Sequence, residues 1–83
     1  MLLIKLLKED DNKAFSIVFN KYHHALYGYI LKKTHSKYLS EEIVQLTFFK
    51  LWKYRHSLNE DIPLINQLFR IARTSLINRS EEH

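Results

Sequence analysis

Turning successive residues by about 100°, as a helix does, gathers Asn66, Gln67, Arg70, Arg73, Thr74, Ile77 and Asn78 on one arc of the segment "LINQLFRIARTSLINR". Guanidinium groups pair with phosphate through two parallel hydrogen bonds, and amides and hydroxyls hydrogen-bond base edges. No acid interrupts the arc. Its chemistry fits a nucleic acid, and it also fits an ordinary solvated helix face, where arginine and asparagine are common.

A second stretch, "SEEIVQLTFFKLWKYR", carries more apolar residues than one buried stripe needs. Helical stepping puts Ile43, Val44, Thr47, Phe48 and Leu51 on one arc with Trp52 at its edge, and Glu42, Gln45, Leu46, Phe49 and Lys53 opposite. The first arc is a core stripe. The second mixes two apolar side chains with charges and an amide, as a binding face does, although a short first helix covering Leu46 and Phe49, or simple scattered exposure, would account for it as well.

Other chemistries find little support. The chain has no cysteine, which excludes disulfides and thiolate metal sites and fits a reducing cytoplasm. Of the five histidines, His23 and His24 diverge on a helix, and His35, His56 and His83 have no partner at metal-ligand spacing, so neither a metal nor a cofactor is expected. A paired-carboxylate site, a plausible Ser/His/Asp set and a glycine-rich phosphate loop are all missing, which argues against an enzyme. The formal net charge of +4 suits a polyanionic partner without requiring one. No run approaches the roughly 18 apolar residues of a membrane span, so no membrane insertion is expected.

The elements that must carry these faces follow from periodicity. One glycine and one proline in 83 residues leave little turn chemistry for hairpins. A short first helix covers 1–9. Phe15, Val18, Phe19, Tyr22, Leu26, Tyr29 and Ile30 then lay an apolar stripe along a long helix at 12–33, capped by Asp10, Asp11 or Asn12. "THSKYLS" breaks the pattern, and Ser40 with two acids behind it predicts a helix over 40–56. "SLNEDIP" is a second break, with a loop at 57–62. Asp61 and Pro63 open a last helix at 63–79, with Leu64, Ile65, Leu68, Phe69, Ala72 and Leu76 as its buried stripe. The expected fold is all-α, a compact single-domain bundle of three main helices plus a short N-terminal one.

In this order and spacing, "KAFSIVFNKYHHALYGYI", "SEEIVQLTFFKLWKYR" and "SLNEDIPLINQLFRIARTSLINR" resemble region 2 of the bacterial sigma-70 family, in particular its extracytoplasmic-function (ECF) group. The family's acid-Leu-Val-Gln-Glu-x-Phe-x-x-Leu-Trp motif is matched by Glu42 to Trp52, and its Leu-Tyr-Arg-Ile-Ala-Arg motif by Leu68 to Arg73. The resemblance implies a cytoplasmic transcription initiation domain that binds core RNA polymerase and helps to melt the promoter minus-ten element. Polymerase contact, on the β′ coiled coil, would fall on Glu42, Gln45 and Leu46 with Phe49 adjacent. Asn59, in the loop before the last helix, would meet a flipped-out non-template base, and Gln67, Arg70, Arg73, Thr74 and Asn78 would face DNA. An anti-sigma factor is a further implied partner; a module that binds polymerase or an anti-sigma factor without reading DNA is the alternative. Leu46 departs from the family's acid, Gln67 from a frequent tryptophan and Asn78 from an aspartate. The family's C-terminal helix-turn-helix is absent from these 83 residues.

Overall fold

Four α-helices and one 3-10 turn follow one another: α1 (Leu2–Lys8), α2 (Asn12–Thr34), α3 (Lys37–Lys53), the turn Arg55–Ser57, and α4 (Leu64–Glu81). The computed structural model describes residues 2–81; Met1, which opens the predicted first helix, and His83, one of the five histidines, lie outside them. Among the described residues there is no strand, and the expected all-α bundle is observed.

Asp11 caps α2: its carboxylate accepts hydrogen bonds from the Lys13 N–H at 2.9 Å and the Ala14 N–H at 3.1 Å, satisfying donors that a helix start leaves free. At the other end His35 adopts a left-handed conformation, φ 54°, and donates its N–H to the Leu31 carbonyl at 2.8 Å. The 23 residues of α2, at about 1.5 Å each, account for the 36 Å long axis of the molecule.

The central helix begins earlier than the sequence predicts. Ser36, not Ser40, is the cap, accepting from the Leu39 N–H at 3.1 Å. The two acids after Ser40 favoured the later start, but Ser40 is buried, donating to the Ser36 carbonyl at 2.6 Å and lying 3.1 Å from the Thr34 hydroxyl. α3 also stops short of His56. The Arg55 guanidinium takes the Trp52 carbonyl at 2.6 Å, the chain tightens into the 3-10 turn, and Leu58 drops into the core.

α3 packs on α2 along one flank and on α4 along the other, while α1 lies across α2 and the 3-10 turn. The predicted stripe of Ile43, Val44, Thr47, Phe48 and Leu51 is buried throughout. Phe19 meets Phe48 at 4.8 Å, and Phe15 meets Trp52 at 5.3 Å, both edge-to-face, a geometry that adds to the area these rings bury. On α4, Leu64, Leu68 and Ala72 are buried and Ile65, Phe69 and Leu76 pack against them at the rim. Fully burying a leucine contributes roughly 1.5–3 kcal/mol. Among the described residues, no helix is long and apolar enough to cross a membrane.

Candidate functional site

α4 presents Asn66, Arg70, Arg73, Thr74, Ile77 and Asn78 to solvent, as the helical stepping predicts. The four arginines of the chain divide into two kinds. Arg55 is held by Asp10, Nε to Oδ1 at 2.7 Å, and stacks 4.0 Å from the Trp52 ring centre; Arg79 is held by Glu42 at 2.6 Å. Arg70 and Arg73 have no ion-pair partner among the described residues. They line an open groove of about 280 Å³ between α2 and α4, together with Asn66, Tyr29 and Phe69. The Tyr29 and Phe69 rings stand 4.8 Å apart, and the Lys33 ammonium lies 5.3 Å from the Tyr29 ring centre. Cations beside these half-buried rings form a surface suited to phosphate. The contribution of Tyr29 escaped the sequence reading, which saw its ring only as part of the α2 stripe.

Gln67 is the exception on that arc. Only 8% exposed, it turns away from solvent and into the loop before α4. Its Oε1 accepts from the Asn59 N–H at 3.0 Å, and its Nε2 donates to the carbonyls of Asn59 at 2.8 Å and Ile62 at 2.9 Å. A DNA-facing position for Gln67 is therefore corrected: the α4 face begins at Asn66 and Arg70, and the amide between them is spent on the loop. Asn59 itself is exposed, and its Oδ1 accepts from the Asp61 N–H at 2.8 Å, so its side-chain NH₂ is the group left to donate outward. Leu58, 7% exposed, anchors the same loop from below. From the side, the α1 end holds it through Asp10, which meets Arg55 and also lies 3.3 Å from His56, and through Lys8, 3.8 Å from Glu60. Asp10 reaches this position in a left-handed conformation, φ 65°, which aspartate tolerates better than most residues.

The outer side of α3 resolves into two rows. Gln45, Phe49 and Lys53 are exposed, Phe49 at 61%, with the Lys53 ammonium 6.0 Å from its ring centre. Glu42, Leu46 and Lys50, each one turn from the next, are half-buried. Glu42 is paired with Arg79, and Lys50 donates to the Ser75 hydroxyl at 3.0 Å, so this row runs along the α4 seam. The Glu42 Oε2 is buried without a hydrogen-bond partner among the described residues. Leu46 thus lies in the seam row, and Phe49 stands in the open. Beside Gln45 a groove of about 330 Å³ opens between α2 and α3, lined also by Phe19, His23, His24 and Tyr27. His23 stacks on Phe19 with ring centres 4.8 Å apart, and its Nδ1 lies 2.8 Å from the Phe19 carbonyl. No group of three or more His, Asp or Glu side chains is placed to hold a metal ion among the described residues.

No family model matches the chain, and no solved structure matches it. Among curated proteins it is similar to the RNA polymerase sigma-H factor of Pseudomonas aeruginosa, 26% identical over 81 residues. The alignment takes in 98% of this chain and 40% of the relative, so the chain spans about two-fifths of the length of the protein it matches. With the helix order and the two motifs on α3 and α4, this alignment over nearly the whole chain supports a likeness to a region of the sigma-70 family.

Proposed function

We propose that this chain is the region 2 domain of an ECF-type sigma factor, acting in transcription initiation by binding core RNA polymerase and opening the promoter minus-ten element. The observation that carries the reading is the division of the arginines: two are consumed by internal ion pairs, and two, on the α4 arc, are left beside an aromatic groove. In this reading Arg70 and Arg73 draw the phosphates of the non-template strand, Thr74 and Asn78 extend that contact, and Asn59 donates to an extruded base. Opening a base step costs a few kcal/mol, which binding the single strand more tightly than the duplex offsets. No bond-making chemistry is involved. Gln45 and Phe49 form the outward part of the polymerase contact, on the β′ coiled coil, with Glu42 and Leu46 behind them. The setting is the cytoplasm, and an anti-sigma factor would compete for these faces.

Exposure of Phe49 beside Gln45 also favours a second reading, in which the domain occupies polymerase or an anti-sigma factor and the α4 arc stays idle. Binding of the chain with bacterial core polymerase to a single-stranded minus-ten oligonucleotide separates the two. Salt-sensitive binding that exceeds binding to the matching duplex is expected; polymerase binding without any DNA binding would leave only the second reading.

A further inference from the structure

We propose that Gln67 is a positioning residue for base capture, its carboxamide holding Asn59 in the one orientation from which the side chain can read a base; this rests on the DNA-reading function proposed above. Three hydrogen bonds from one buried side chain reach both backbone groups of Asn59 and the Ile62 carbonyl, and so span the loop. The bond between the Asp61 N–H and the Asn59 Oδ1 then fixes the side chain relative to that backbone. An unclamped loop of this length samples many backbone states, and a donor on it loses directional selectivity although its affinity for phosphate is unchanged. Gln67 does not touch the nucleic acid; it acts through Asn59.

Gln67→Ala opens a void, whereas Gln67→Met keeps the volume and removes all three hydrogen bonds, so both variants are compared with the unaltered chain. Amide hydrogen exchange at Asn59 measures the clamp without DNA. A randomised single-stranded DNA pool, selected with the chain bound to core polymerase, measures base preference. For Gln67→Met the expected result is faster Asn59 exchange, an unchanged salt slope, and a loss of about tenfold in preference at one position, the size of one good base contact. Melting temperature should fall by several degrees with the three bonds, so the selection is run well below the midpoint of either variant. Unchanged Asn59 exchange would overturn the clamp. Faster exchange with intact base preference would overturn its role in capture. If the unaltered chain selects no base at any position, the DNA-reading function itself fails, and the proposal falls with it while the exchange result still stands.

Discussion

Replacing both Arg70 and Arg73 by alanine tests the α4 face most directly. Both side chains are exposed and free of acidic partners, so their removal leaves no buried charge behind. Three residues apart, they lie about 4.5 Å apart along the helix axis on one face, and their length lets each meet a separate phosphate. Each phosphate contact to a single strand contributes about 0.7 to the slope of log affinity against log salt, so the double variant should lower that slope by about 1.4. Between 0.05 and 0.2 M salt, the unaltered chain should then lose about sevenfold more affinity than the variant. Fluorescence anisotropy of a labelled single-stranded oligonucleotide, titrated with the chain and core polymerase at several salt concentrations, gives both slopes. Equal slopes would refute the assignment, even if affinity fell, because the loss would then have come from something other than phosphate contact.

Three further outcomes follow, the first from the proposed polymerase contact and the others from local geometry. Gln45→Ala with Phe49→Ala should weaken polymerase binding by about tenfold or more, as truncation of an exposed anchor does, with thermal melting nearly unchanged; pull-down titration against core polymerase checks this. Gly28 lies inside α2 with nothing within 4 Å of where a Cβ would stand, so Gly28→Ala should stabilise the fold by about 1 kcal/mol, raising the melting temperature in circular dichroism by about 4–8 °C. At the end of the same helix His35 sits at φ 54°, and His35→Gly should add about 0.5–1 kcal/mol in urea unfolding by removing the left-handed penalty.

Helix order and the core stripes of α2, α3 and α4 were legible in the sequence because the apolar period is a local signal. The start of α3 was not, since Ser36 and Ser40 both look like caps and only tertiary contact turns Ser40 inward against Thr34. The same limit applies to Gln67: angular position placed it between Asn66 and Arg70, but the loop folding back over α4 gave it partners eight and five residues away. Arg55 and Arg79 carry the same charge as Arg70 and Arg73, and only the long-range approach of Asp10 and Glu42 distinguishes them. Leu46 and Phe49, a single patch when read as an arc, separate once α4 lies along one side of α3.

That separation gives the two rows of α3 different freedom to change. In a saturation mutagenesis experiment scored for folded protein, Gln45, Phe49 and Lys53 should accept most substitutions, whereas Glu42 and Lys50 should be restricted by their bonds to Arg79 and Ser75. The outer row can then drift in sequence while the adjacent row preserves the docking of α4. The leucine at position 46, half-buried between the two anchored residues, stands at the boundary of the rows.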